Sequence, residues 1–274
     1  MTAAESWQTT SVLTPERIAA ARAHPAFETA VLALARTSVT TYSGHPLLNI
    51  VASDRGRFVV AMLVARLHQE GRLTPANLKT LAARQGFASP GRTSALIALM
   101  RWAGYLSGDA RNLVPTAKFF AAHRERIAGE LTAVGHVSTA AARVAEGLAD
   151  DALLGRFLAA LCREFDSGDR LIDHAPQLEF SIERVGGFLL LNDLMLRARE
   201  TDAPLDVSIS AYARRFAISR PQVHLVLRQA DAGGFIVWAD GKARVLPALV
   251  EGFEDFFAAV IVANRLAAEE ALAV

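Results

Sequence analysis

The chain of 274 residues carries 29 Lys and Arg against 28 Asp and Glu, a net charge of +1, and is 52% apolar. That length suits one or two domains able to bury cores of their own, and that composition suits a well-packed globular chain rather than a disordered one. A single cysteine, Cys162, excludes an intrachain disulfide, and the longest wholly apolar run, 256–263, is far short of the roughly 20 residues that span a bilayer.

The N-terminal MTAAESWQTT lacks a basic segment ahead of an apolar one, so no signal peptide is expected and a reducing cytoplasm fits. Residues 1–14 read as a leader. Thr14-Pro15 then opens a helix through Arg22, with Thr14 as cap and proline at the first helical position, where its missing N–H is not needed. Pro25 restarts the helix, and Phe27, Val31 and Leu34 form a buried stripe. Residues 38–54 mix turn formers with an apolar run and read as a loop or a short helix. Arg57–Glu70 is an amphipathic helix with Phe58, Ala61, Met62, Ala65 and Leu67 inward, stopped by Gly71. Thr74-Pro75 starts the next helix, with Leu78 and Leu81 inward, and Gly86 breaks it after Gln85. Ser89-Pro90 starts another, in which Ile97 and Met100 face the core and Thr93 sits at the inward edge, while Arg92, Ser94, Ala95 and Ala98 face out. Gly104 ends it. A hairpin of Tyr105–Ser107 and Asn112–Val114 follows, then a long helix from Thr116 to about Val134.

Gly135–Thr139 is the best boundary, dividing the chain into units 1–135 and 136–274. Helices over Ala140–Leu148 and Leu153–Phe165 open the second unit, where Cys162, among Leu158, Leu161 and Phe165, reads as a buried inert thiol. Asp166–Glu179 is turn-rich, and Arg184–Arg199 repeats the role of Arg57–Glu70. Ser208 and Ser210 introduce a short helix to Phe216, and Ser219 caps the next. There Val223, Leu227 and Ala230 face the core, while Arg220, Gln222, His224, Leu225 and Arg228 face out. Gly233-Gly234 closes that helix. Phe235–Trp238 and Lys242–Leu246 form a hairpin around Asp240-Gly241. Pro247 leads into a terminal helix to about Ala271 that is more apolar than one stripe requires, so its surplus should pack on a helix of the other unit or of a second chain.

The second unit echoes the first at an offset of 130: Phe27 falls on Phe157, Phe58 on Phe188, Ser89 on Ser219 and Gly104 on Gly234. Leu96-Ile97 falls on Val226-Leu227, and Tyr105-Leu106 on Phe235-Ile236. Pro115 matches Pro247 if the second hairpin carries two extra residues. This is the pattern of an internal duplication, with units near 25–135 and 155–265. The predicted fold class is mainly α with small β-hairpin wings: two tandem winged helix-turn-helix units joined by long helices in a pseudo-two-fold arrangement.

With helices before each helix-turn-helix and a long helix after each wing, each half resembles the MarR (multiple-antibiotic-resistance regulator) family in element order. The family's Asp-x-Arg wing signature is present as Asp109-Ala110-Arg111 in the first unit, whereas the second has Asp240-Gly241-Lys242 with Arg244 beyond. The resemblance implies a transcriptional regulator whose partner is double-stranded DNA. It also implies pairing through terminal helices, which a fused pair would satisfy as a single-chain pseudo-dimer and which a homodimer would extend. It further implies a pocket for a small-molecule effector, for which Trp7, Tyr42, His45, Trp102 and His174 lie in suitable segments, although ordinary packing is the simpler account of each.

Local charge agrees with a polyanionic partner. Residues 75–116 carry Lys79, Arg84, Arg92, Arg101 and Arg111 against Asp109, and residues 205–247 carry six basic side chains against Asp206, Asp231 and Asp240. In the second unit Arg220 or Arg228 suits guanine and Gln222 suits adenine, with His224 alongside. In the first, Arg92, Thr93 and Ser94 suit phosphate more than base edges. Arg111 and Asn112 in one wing, and Lys242 and Arg244 in the other, would reach flanking backbone. Winged helices also serve as protein–protein assembly modules, and an outward Leu225 fits that alternative. No enzymatic reading emerges. The seven histidines lack metal-ligand spacing, Gly186-Gly187 lacks the rest of a phosphate loop, and Glu254-Asp255 reads as a solvated face, so neither metal nor cofactor is expected.

Overall fold

The structure is a computed structural model describing residues 12–44, 55–109, 111–164, 166, 170–184 and 186–273. It is mainly helical, with two small antiparallel sheets. In the first half, α1 (Pro15–Arg22) is capped by Thr14, and α2 (Phe27–Gly44) buries Phe27, Val31 and Leu34. Residues 38–44 continue α2, and the rest of the ambiguous stretch lies outside the described residues. Then come α3 (Arg55–Gln69), α4 (Pro75–Arg84) and α5 (Pro90–Trp102). The Thr74 and Ser89 hydroxyls accept from the N–H groups of Asn77 and Arg92, at 3.1 and 3.2 Å, so both helices start where the sequence places their caps. Strands β1 (Leu106–Gly108) and β2 (Leu113–Pro115) lie one residue later than expected, and α6 (Ala117–Val134) follows from its Thr116 cap.

The second half runs α7 (Thr139–Gly147), α8 (Asp151–Glu164), two 3-10 turns, α9 (Glu179–Ile182), α10 (Gly187–Ala198), β3 (Leu205–Asp206), α11 (Ile209–Arg215), α12 (Arg220–Ala232), β4 (Ile236–Ala239), β5 (Lys242–Val245) and α13 (Pro247–Leu272). Helix α10 begins after the expected Arg184 because Gly186, at φ +70°, takes a left-handed conformation that no helix continues through. Asp240 and Gly241, at φ +51° and +73°, form the two-residue turn that Asp-Gly favours. Strand β3 was not expected. It adds to β5, giving the order β3-β5-β4, and it occupies chain that in the first half belongs to α4, which leaves α11 shorter.

The correspondence between halves needs no extra residues in the second hairpin. Leu106 lies opposite Pro115 and Ile236 opposite Val245, both shifted by the same 130. The Thr116 N–H donates to the Tyr105 carbonyl and the Leu246 N–H to that of Phe235, at 3.1 and 2.9 Å, again 130 apart. Pro115 therefore corresponds to Val245, not to Pro247. A four-residue connection in one hairpin is matched by longer strands around a tighter turn in the other.

The halves pack reciprocally. Helix α2 lies against α6 of its own half and α10 of the other, while its counterpart α8 lies against α13 and α3. Likewise α1 packs on α13, and α7 packs on α6. The buried apolar side chains accordingly form one continuous core through both halves. Helix α13 is surrounded within the chain by α1, α2, α7, α8 and α10, and exposes only Pro247, Ala248, Glu251, Glu269 and Glu270. Its surplus apolar surface is thus covered by the other helices of this chain rather than left for a second copy. Glu254 and Asp255 are not a solvated face either. Both pair with Arg22 of α1, and Glu254 also pairs with Arg199 at 3.4 Å, whose guanidinium reaches Glu28 of α2 at 2.9 Å.

Two stability predictions follow from local geometry. The turn before α12 holds the exposed Ala217 at φ +53°, where the first half places Gly86 at φ +72°. Ala217→Gly relieves left-handed strain against some gain in unfolded-chain freedom, and should raise unfolding stability by about 0.5–1 kcal/mol in urea titration. His123 is 7% exposed, stacks on Phe119 at 4.4 Å, and has no hydrogen-bond partner for Nδ1; its counterpart 130 residues on is Phe253. Burial, with Arg126 adding repulsion, pushes its pKa down to about 3. The unfolded chain then binds the proton that the folded chain refuses, so stability falls as pH drops below about 6.5. Between pH 7 and 5 the wild type should lose about 2 kcal/mol more than His123→Phe, measured by urea unfolding at each pH.

Candidate nucleic-acid interface

Each half presents a helix, a turn, a second helix and a hairpin: α4, α5, β1 and β2, then α11, α12, β4 and β5. In α12, Val223, Val226, Leu227 and Ala230 are fully buried, which turns the opposite face to solvent. Arg220, His224 and Arg228 are exposed there, Gln222 is half-buried, and Leu225 is half-buried rather than fully outward. Arg220, Arg228 and the wing residue Arg244 make no ion pair with any described residue. His224 packs edge-on against Trp238 of β4, with ring centroids 4.8 Å apart, tying helix to hairpin. Lys242 is exposed but pairs with Asp206 of β3 at 3.2 Å.

The first half offers less. Thr93 is removed from the accessible set: it is 0% exposed, and its hydroxyl donates to the Ser89 carbonyl at 3.0 Å. The helical rotation that buries Ile97 carries Thr93, four residues earlier, to the same side. Ser94 is exposed, with its hydroxyl donating to the Pro90 carbonyl at 3.0 Å. Arg92 is exposed, yet its guanidinium lies against Gly56, so close that a Cβ there would meet its carbon at 3.2 Å. Arg111 and Asn112 project from the hairpin connection, where their backbone N–H groups donate to Asp109 Oδ1 at 2.7 and 2.8 Å. Those bonds hold the Asp109 carboxyl below its ordinary pKa. The Asp-x-Arg segment thus fixes a turn and leaves the Arg111 side chain pointing away from the fold. Ala110 lies outside the described residues, as do Trp7 and His45.

Two features that the sequence did not reveal hold these surfaces in place. Arg101, near the end of α5, donates to the carbonyls of Gly108 and Asp109 in the hairpin. Asp231, its counterpart at the end of α12, accepts instead from the Trp238 N–H at 3.0 Å. Each helix braces its hairpin from the same position, with donor and acceptor exchanged. In the second half alone, Asp193 of α10, 5% exposed, accepts from the Tyr212 hydroxyl at 2.6 Å and from Arg215 at 2.7 Å. Arg197 donates to the Tyr212 oxygen and to the Asp206 carbonyl, at 3.0 and 2.9 Å. Burial and the Asp193 carboxylate push the Tyr212 hydroxyl well above its ordinary pKa. At the corresponding positions the first half carries Leu63, Leu81 and Leu67, all buried, so apolar packing does there what hydrogen bonds do here.

Among the described residues no group of three His, Cys, Asp or Glu side chains could hold a metal ion, and no helix is long and apolar enough to cross a membrane. Comparison with protein-family models, curated proteins and solved structures returns no match.

Tyr212→Phe leaves Asp193 with one donor fewer in a buried site. It should cost about 1.5–3 kcal/mol in urea unfolding, the range for a hydrogen bond to a charged group.

Proposed function

We propose that the chain binds double-stranded DNA through two winged helix-turn-helix units of the MarR type and reads sequence mainly with the second. The observation that carries this reading is the solvent face of α12 with its hairpin, where Arg220, Arg228 and Arg244 stand exposed without ion-pair partners among the described residues. Bidentate guanidinium donors on a helix suit guanine edges in the major groove, and a basic hairpin suits the flanking phosphates. In the first unit Thr93 is buried, Arg92 is drawn toward Gly56, and Arg101 braces its own hairpin, so Arg111 is left as the main phosphate contact. Regulation of transcription is the role such a pair of units serves.

The test is selection of preferred duplexes from a random pool, followed by titration over a range of salt. Arg111 and Arg244, the two phosphate contacts, together predict a slope of log K against log salt of about −1.8, since each phosphate neutralised contributes about 0.9. Arg228→Ala should relax preference at one or two base pairs by roughly 1–3 kcal/mol, while Arg244→Ala weakens specific and unrelated duplexes alike.

One observation favours a second reading, a protein-assembly module. Among the described residues the exposed large apolar side chains are Trp102, Val114 and Val237, at 71%, 42% and 52% exposure, and all three lie at the hairpins or at the end of α5. Under that reading no duplex binds even at low salt, and Trp102 is the residue whose loss disrupts partner capture.

A further inference from the structure

The two helix-and-hairpin surfaces share a frame and differ in what it carries. Ser89 and Ser219 cap α5 and α12 at the same offset, and the two hairpins pair in the same register, so each side chain of one surface has a definite counterpart on the other. Along the outward midline of α5 stand Gly91, Ala95 and Ala98, and along that of α12 stand Pro221, Leu225 and Arg228. Arg220 falls on Pro90, and His224 falls on Ser94, whose hydroxyl is engaged by the Pro90 carbonyl. In the hairpins Lys242 falls on Asn112, and Arg244 falls on Val114. Two exchanges run the other way. Arg92 falls on Gln222 and Arg111 on Gly241, but Arg92 lies against Gly56, and Arg111 belongs to the hairpin connection rather than to the helix.

A palindromic duplex presents the same base edges twice, once to each of two identical helices. Here the second set of edges would face α5, whose midline from Gly91 to Ala98 offers no hydrogen-bonding side chain. That half of a palindrome would go unread, and an unrelated sequence in its place would bind as well. Orientation follows from the same asymmetry. Turning the chain end for end on its duplex moves α12 onto base pairs that it does not match. Each base pair discriminated is worth about 10-fold, so two hold one orientation over the other by about 100 to 1. Two identical subunits have no such preference, because the turned complex is the same complex.

We infer that the target is a non-palindromic duplex, with base preference confined to the half beneath α12, on which the chain sits in one fixed orientation. The inference rests on the DNA-binding reading above and adds to it the class of site and the direction of binding.

The experiment starts from the duplex that the full chain selects from a random pool. Each base pair is exchanged singly and the affinity titrated. Exchanges in one half of the site should weaken binding about 5- to 100-fold, and those in the other half by less than about 2-fold. Direction is read with an iron chelate that cleaves the DNA backbone near its point of attachment, carried by the Ser107→Cys variant or by the Val237→Cys variant. These are corresponding, exposed positions of β1 and β4, and the native Cys162, at 0% exposure, does not compete for the label. The Val237→Cys conjugate should cut only at the discriminating end of the site, and the Ser107→Cys conjugate only at the other end. A symmetric selected motif, equal sensitivity in both halves, or cleavage at both ends by each conjugate would overturn the inference and leave the DNA-binding reading standing. If no duplex is enriched or bound, both fall together. Where a conjugate fails to fold, the base-pair scan on the wild-type chain decides.

Discussion

The structure depends on an exchange of helices between halves. Helix α10 is buried on nearly every side: Leu189, Leu190, Leu191, Asn192, Asp193, Leu194 and Met195 are all inside. A helix apolar all round needs neighbours all round, and one half does not have enough. Helix α2 of the other half supplies the missing wall, and the Asn192 amide donates across the junction to the Ala35 carbonyl at 3.2 Å. The reciprocal junction, α3 against α8, carries the Cys162 thiol beside the Met62 carbonyl at 3.5 Å, and Met62 is the counterpart of Asn192. Separating the halves would strip both junctions to water at once. The two helix-and-hairpin surfaces are therefore mounted on one shared core.

Two similar halves within one chain are free to differ. Two identical subunits carry every change twice, on both sides of their axis. Here a change is made once, and the core shows the result. His123 faces Phe119 where Phe253 occupies the corresponding place, and Arg126 with Glu130 stand where the other half has Phe256 and Val260. The hairpin braces differ in the same way, Arg101 donating and Asp231 accepting. Both bonds tie the end of the helix to its hairpin. The backbone offers carbonyls and N–H groups in equal number, so either sign of side chain can perform the task.

Local chemistry was legible from the sequence, and relations across the fold were not. Caps at Thr14, Thr74, Ser89 and Ser219, prolines in the first turn and Asp240-Gly241 at the hairpin act through residues within four positions, so the sequence carries their whole cause. The inward stripe of α12 was equally readable, because helical periodicity alone sets it. Thr93 was placed at the inward edge by periodicity and is fully buried there; its inclusion among the DNA contacts, argued from residue type, is what fails. Strand β3 depends on β5 being within reach nearly forty residues later, and nothing in Leu205-Asp206 announces a partner. The Glu254-Asp255 pair looked solvated because its partners, Arg22 and Arg199, lie far away in the chain. The 130-residue echo was seen, but the matching prolines pulled its register off by two, and only hydrogen-bond registry corrected it.

The two helix-and-hairpin surfaces differ in how their arginines are held. In the second half an internal network of Asp193, Tyr212, Arg197 and Arg215 orients α11 against α10, and it leaves Arg220, Arg228 and Arg244 outside that network. Under the proposed DNA-binding role, a guanidinium reading a base edge would need a fixed backbone beneath it and no competing carboxylate, and the second half offers both. In the first half α4 rests on apolar contacts, and two of its arginines are turned back on the fold, Arg101 to the hairpin and Arg92 toward Gly56. What remains, Arg111 on a turn fixed by Asp109, is placed for charge rather than for discrimination. Under the proposed role the halves would divide reading from grip, an arrangement that a symmetric pair cannot reach.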